Sequence, residues 1–307
     1  MDIIGTTNFD FIGKRKLTFV LSSTLAMIGL FAVFQIARGA ANLGIDFAGG
    51  VTIQLRFEKD VSIEKAREIL KEGNLPPADL QQFAEANRLL VRLKTHNEDL
   101  GPLTKTLVER LQEGFKDNKA AVEGTTEIGP SVGRRLQKDA LWAVFISMMG
   151  IIVYIAFRFE WKFGVAAAIA TLHDVLAVLG IFFLMGREIN LLVVTSLLTL
   201  AGYSLTDTVV VFDRIRENLR LRAKVPLAET VNRSINEVLR RTIVTSSTVL
   251  LVLVALILFG GEVTYDFALA LFMGVIVGTY SSIYLASPII VVWKVRAVER
   301  RPAPRTA

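Results

Sequence analysis

Residues 202–218, GYSLTDTVVVFDRIREN, place a carboxylate, Asp207, inside an apolar run that begins at Leu191 and ends only at Asp213. A charge deep in a membrane span costs roughly 2.5 to 3.5 kcal/mol on insertion scales, so it normally faces a partner or water and points to an ion or proton path. The reading is therefore of energy coupling, not of anchoring alone.

The rest of the chain agrees with a membrane setting. Of 307 residues 52% are hydrophobic and the mean hydropathy is +0.48, too apolar for an ordinary soluble protein. Six stretches are long enough to cross a core about 30 Å thick as helices. They lie near 17–37, 140–157, 163–185, 190–212, 242–260 and 265–293. The implied organisation is an N-terminal segment 1–16, a first span 17–37, a polar insert 38–137, a five-helix region 138–293 with a loop at 213–241, and a tail 294–307.

Lys and Arg in short loops set the orientation. Lys14, Arg15 and Lys16 precede the first span, Arg158 and Lys162 separate the second and third, and a run from Arg214 to Arg241 separates the fourth and fifth. More basic residues follow the sixth, whereas the opposite short loops offer only Arg187. Both termini are expected on the cytoplasmic side and the insert outside. The first span has the basic start of a signal peptide, but its apolar run is longer than an h-region, so it is expected to remain uncleaved.

The net charge of +6 reflects basic residues beside span ends, where anionic lipids attract them, and gives no reason to expect nucleic acid. The absence of cysteine excludes disulfides and thiolate metal sites. No metal or organic cofactor is expected.

Within the insert, Val51, Ile53, Leu55 and Phe57 alternate with polar neighbours, as in a strand buried on one face. A helix capped by Ser62 follows, ending at Gly73 and the Pro76-Pro77 turn. Strands at 79–84 and 88–94, a helix at 99–116 and a strand near 120–127 complete a βαββαβ order, predicting an α+β ferredoxin-like domain between the first and second spans of a six-helix bundle. It holds no catalytic constellation: His96 reads as a lone loop histidine, and the helix charges as a solvated face.

Two glycine-bearing strings flank this domain. GIDFAGG, residues 44–50, contains Asp46, Gly49 and Gly50; GPSVG, residues 129–133, begins with Gly129. Together with LHD at 172–174 and the long string starting at Gly202, they closely resemble the SecF family, the smaller subunits of the bacterial SecDF protein-export factor in the resistance-nodulation-division superfamily. The resemblance covers essentially the whole chain. It implies a six-span inner-membrane subunit that pairs with SecD, works beside the SecYEG channel, associates with YajC and in some bacteria YidC, and uses the proton gradient to assist an exported polypeptide. It further implies that Asp207 and an arginine opening the fifth span, Arg241, conduct protons.

The residues themselves suggest further roles. Asp207 shares a helical stripe with Ser196, Thr199, Tyr203 and Arg214, and lies about 9 Å from Asp213 at helical rise. Arg241 shares a stripe with Thr245 and Thr248; it reads as a proton-coupling residue or as an inside-positive anchor, with Arg240 the nearest rival. Asp174, beside His173 and among small residues, reads either as a packed structural aspartate or as part of a proton relay. Asp213 is expected at the interface, paired with Arg214, Arg216 or a partner chain. In the last span, Gly274, Gly278 and Ser282 form a small-xxx-small row that predicts a helix contact, within the bundle or with a partner.

Rival readings are a small-molecule or lipid exporter half of the same superfamily, a passive assembly subunit, and an intramembrane hydrolase. The last lacks its usual HExxH, GxSxG or GxGD strings, so no enzyme activity is expected.

Overall fold

The computed structural model describes residues 7–73, 78–83, 87–95, 100–158, 160–221 and 225–293. His96, the Pro76-Pro77 turn and the basic tail from Lys294 lie outside these. Helix α1 (Arg15–Ala37) and the short α2 (Ile45–Ala48) precede β1 (Gly50–Phe57), α3 (Ile63–Glu72), β2 (Ala78–Phe83), β3 (Arg88–Lys94), α4 (Gly101–Gly114) and β4 (Ala120–Ile128). Then come α5 (Pro130–Arg158), α6 (Trp161–Leu184), α7 (Leu191–Leu221), α8 (Leu227–Phe259) and α9 (Gly261–Ser281). One π-helical turn, Ser282–Ala286, joins α9 to α10 (Ser287–Val292). Among the described residues six helical segments are long and apolar enough to cross a membrane: α1, α5, α6, α7, α8 and the run from Thr264 to Val292.

The chain forms two compact units. One comprises Asn42–Ala143 together with the short segment Glu188–Leu191; the other comprises the described residues up to Ala41, Val144–Arg187, and those from Leu192 onward.

The inserted unit is a four-stranded sheet in the order β2-β3-β1-β4, with every neighbouring pair antiparallel. Strands β1 and β2 thus run the same way with β3 between them, as in a split βαβ unit. Alternation explains the one-sided core: Val51, Ile53, Leu55 and Phe57 are buried, while Arg56 is exposed. Each such side chain contributes about 1.5 to 3 kcal/mol on burial. Facing them are Ala66 and Leu70 of α3 and Leu107 and Leu111 of α4. Ser62 caps α3 by accepting a hydrogen bond from Lys65 N at 3.3 Å.

The two glycine strings meet at the edge of this unit. Gly50 has φ +148°, and a Cβ there would stand 2.2 Å from the carbonyl oxygen of Leu93, so only glycine fits. At Gly49 (φ +81°) a Cβ would stand 2.9 Å from the Cα of Pro130, and at Gly133 one would stand 3.0 Å from the carbonyl oxygen of Phe47. Gly129 accepts from Gly133 N and starts the first turn of α5. The paired motifs are thus a packed junction.

In the membrane unit, α6 and the α9–α10 run are the most interior spans, and α5 the most peripheral. Helices α1 and α6 approach closely through small residues: a Cβ on Gly29 would stand 2.2 Å from Leu176 O, and one on Gly180 2.8 Å from Gly29 N. Both end in the same way, with a left-handed glycine. After α6, Gly186 (φ +65°) lets Arg187 N reach Phe182 O and Gly186 N reach Phe183 O, a Schellman motif.

Residues 213–241, which the sequence presents as a loop between the fourth and fifth spans, are largely helical extensions of those spans. α7 runs on to Leu221 and α8 begins at Leu227. The apolar stripe Val231, Ile235 and Leu239 packs into the core with Phe212 and Ile215, and this burial explains its helical spacing.

Candidate functional site

Asp207 is 8% exposed at the middle of α7. Ser282 Oγ donates to its Oδ2 at 2.8 Å. Thr242, buried on α8, lies within reach of the carboxylate, but its hydroxyl is not aligned into a hydrogen bond. Arg241 acts on Asp207 as a charge without an ion pair, its own side chain being exposed.

Asp174 on α6 is fully buried. Its Oδ2 accepts from Ser281 Oγ at 2.7 Å and from Ser204 Oγ of α7. His173 Nδ1 lies 2.9 Å from Asp174 Oδ1, and His173 Nε2 is buried with no hydrogen-bond partner among the described residues. Ala166, Ala167, Ala170 and Ala177 are all buried on the same helix.

Two neighbouring serines therefore each hold one carboxylate: Ser281 takes Asp174 and Ser282 takes Asp207. The π-helical turn starts at this pair, and Ser287 Oγ donates back to Ser282 O at 2.8 Å. Such turns recur at functional sites because the widened ladder releases backbone and side chains from regular spacing. The small-residue row explains how α9 comes so near α7. Gly274 faces Leu200, Gly278 faces Ser204, and Ser282 reaches Asp207, so the row makes a contact inside this chain.

Several sequence expectations change here. The stripe proposed for Asp207 does not converge on it: Ser196 donates to Val193 O, exposed Thr199 donates to Thr195 O, and Tyr203 OH donates to Ser246 Oγ. Likewise Thr245 and Thr248 are exposed and bond back to their own helix, leaving Thr242 and Ser246 as the inward residues of α8. The inward face of α8 lies about one position on from the Arg241–Thr245–Thr248 stripe, because tertiary contacts that the sequence does not display set the rotation of the helix. Asp213 pairs with Arg158 at 3.3 Å, while Arg214 pairs with Glu217 and Glu237 at 2.6 Å each. Arg240 is exposed. Gly202 lies away from the carboxylates, on an open groove of about 360 Å³ with Gly150, Ile151 and Leu205.

Ser204 and Ser281 escape sequence reading, because serines are common in spans, and Ser282 reads there only as a small residue of a helix contact, not as a carboxylate partner. The available signal was the spacing of Ser282 from Gly278 and Gly274.

What these groups can do follows from their hydrogen-bonding capacity. A hydroxyl both donates and accepts, so Ser282 can serve an ionised carboxylate as donor and a protonated one as acceptor. A lysine or arginine in its place could only donate. Both buried aspartates are held by hydroxyls, which leaves them free to change charge without losing every partner.

A polytopic membrane protein with buried, hydroxyl-held carboxylates and an inserted α+β domain is thus defined. The C-terminal model of the SecD/SecF protein export membrane proteins matches residues 108–296, and the SecD/SecF GG motif matches residues 41–61. The chain belongs to the SecF family. It is 49% identical to the protein translocase subunit SecF of Thermodesulfovibrio yellowstonii over 94% of this chain and 96% of that one, and 43% identical to the SecF subunit of Calditerrivibrio nitroreducens over 97% and 98%. The crystal structure of SecDF from Thermus thermophilus, described as a translocon-associated membrane protein, superposes with a TM-score of 0.81 at 41% identity. A SecDF crystal structure in a super-membrane-facing form gives 0.68 at 39% identity. The chain spans about two fifths of those SecDF chains, covering 39% of each.

Proposed function

We propose that this protein is a subunit of a proton-driven protein-export factor, in which a change of charge at Asp207 moves the spans and, through them, the inserted domain against an emerging polypeptide. The observation that carries the reading is the Asp207–Ser282 contact: a buried carboxylate held by a reversible hydroxyl at the start of a π-helical turn. Protonation removes the charge that Arg241 attracts and turns Ser282 from donor to acceptor, and the adjacent π-helical turn gives α9 a place to re-register. Asp174 with His173 forms a second protonatable group, joined to the first through Ser281 and Ser282. The proton is the coupling ion, and no other cofactor or enzymatic step enters.

The named relatives supply the setting. Full-length SecF subunits and a fused SecDF support association with SecD and work with the Sec translocon. In this reading SecYEG is the channel served, and YajC and YidC are accessory partners. The protein lies in the bacterial inner membrane with both termini cytoplasmic, the orientation that the basic residues favour.

The test is export of a preprotein into inverted membrane vesicles with and without a proton gradient. Asp207→Asn is expected to abolish the gradient-dependent part while membrane insertion and SecD association persist, and Arg241→Ala to weaken it. Unchanged export by Asp207→Asn at normal protein level would leave a passive assembly role.

A further inference from the structure

The segment between α6 and α7 does not hang as a free linker. Arg187 stays with the membrane unit, 3.3 Å from Asp266 and with its guanidinium 5.0 Å from the Tyr265 ring centre. The next residue, Glu188, belongs to the inserted unit and is buried there between two cations of β3, Arg92 at 3.4 Å and Lys94 at 3.1 Å. The backbone continues the attachment: Ile189 N donates to Asn42 O at 2.8 Å and Gly44 N donates to Ile189 O at 2.9 Å, making a parallel bridge between Leu43 and Ile189. Finally Asp46 Oδ2 accepts from Leu191 N at 2.9 Å, satisfying an orphan donor at the first residue of α7.

Glu188 and Asp46 are therefore more than charges on a loop. Together they fix both sides of the entry to α7, the helix that carries Asp207. A helix is stiff along its axis, and Asp207 stands 16 residues beyond Leu191, about 24 Å at 1.5 Å per residue. We propose that Glu188 and Asp46 are the positioning residues that hold the segment Glu188–Leu191, and with it the first residue of α7, to the inserted sheet, so that a displacement of α7 acts on the domain at this point. This rests on the proton-coupled reading above and adds the route by which the movement leaves the membrane.

The two cations of β3 suit a permanent attachment. Unlike Ser282 beside Asp207, Arg92 and Lys94 cannot accept a hydrogen bond, so both meet Glu188 only as donors. The contact is built to stay closed while the intramembrane contact is built to switch.

The experiment reads proton flux and gradient-dependent export in the same inverted vesicles, from cells carrying each variant as the sole copy. Glu188→Arg, which sets a cation against Arg92 and Lys94, is expected to lose gradient-dependent export while proton flux stays near wild type. Glu188→Gln, which keeps an acceptor, should retain both, and Glu188→Arg with Lys94→Glu should recover export. The chain has no cysteine, so Leu43→Cys with Ile189→Cys can form only one intramolecular disulfide. Export should survive its oxidation. The proposal is overturned if Glu188→Arg exports like wild type, if it loses flux together with export, or if the disulfide stops export. An Asp207→Asn protein that still exports would instead sink the proton reading, so the two failures are distinguishable.

Discussion

The buried carboxylates of the two units of this molecule are held by opposite chemistry. In the membrane unit, Asp174 receives two serine hydroxyls and sits against a histidine, and Asp207 receives one serine hydroxyl. In the inserted unit, Glu188 is held by Arg92 and Lys94. Hydroxyls can reverse their role and fixed cations cannot, so the first arrangement offers an acceptor for the acid's proton and the second offers none. The lesson is that burial of an acid does not by itself announce a titrating site; the reversibility of its partners does.

The comparison is broken most severely by emptying the first site. Asp174→Ala removes the shared partner of Ser204, Ser281 and His173; Ser281 keeps its bond to Gly278 O, and with Ser204 and His173 stranded at about 1 to 3 kcal/mol each the unfolding free energy should drop by roughly 3 kcal/mol or more. Thermal melting in detergent reads the loss, and Asp174→Asn, which keeps hydrogen-bonding capacity, should recover most of it.

Next comes the junction that supports the second site. Gly50→Ala drives a Cβ into the backbone oxygen of Leu93, adjacent to Lys94, at an unfavourable φ. A cost of about 2 to 3 kcal/mol is expected, from overpacking and strain. Limited proteolysis of the inserted domain should show it before the bundle melts.

A smaller effect sharpens the contrast by pH. Burial pushes the Glu188 carboxyl above its ordinary value, while Arg92 and Lys94 pull it partly back. A raised folded value means that Glu188's contribution to stability is complete below the unfolded pKa, about 4.3 for a free glutamate, and is lost as pH rises through the folded value. Glu188→Gln removes that penalty. It should therefore melt at the same temperature as wild type near pH 4 and slightly higher at pH 7, and a lower value at pH 7 would show that the ion pairs outweigh burial.

The smallest change is expected outside both sites. Thr245→Ala and Thr248→Ala remove exposed hydroxyls that bond only to their own helix, so stability should move by less than about 0.5 kcal/mol and proton flux not at all.

Much of this architecture was legible in the residues. The period-2 strand at Val51–Phe57, the Ser62 cap and the apolar lengths of the spans are local patterns, each written in consecutive positions. Asp207 and Asp174 stood out because a carboxylate in an apolar run is costly wherever it points. Their partners did not, because which hydroxyl meets which acid depends on the rotation of α7, α8 and α9 about their axes. Ser282 lies 75 positions from Asp207, Ser204 and Ser281 lie 30 and 107 from Asp174, and no local period connects them.

Glu188 illustrates the same limit from the other side. In the sequence it is one acid in a five-residue connection, indistinguishable from a solvated loop charge. Its burial between two residues of β3 arises only because the Schellman turn at Gly186 ends α6 and sends the chain to the inserted unit. By itself, the sequence determined six spans, a βαββαβ insert and two expensive acids, since hydrophobic length, alternation and charge cost are properties of neighbouring residues. Tertiary structure alone decided which acids are held by reversible hydroxyls and which by fixed cations, since these contacts form between atoms that packing, not sequence proximity, brings within about 3.5 Å.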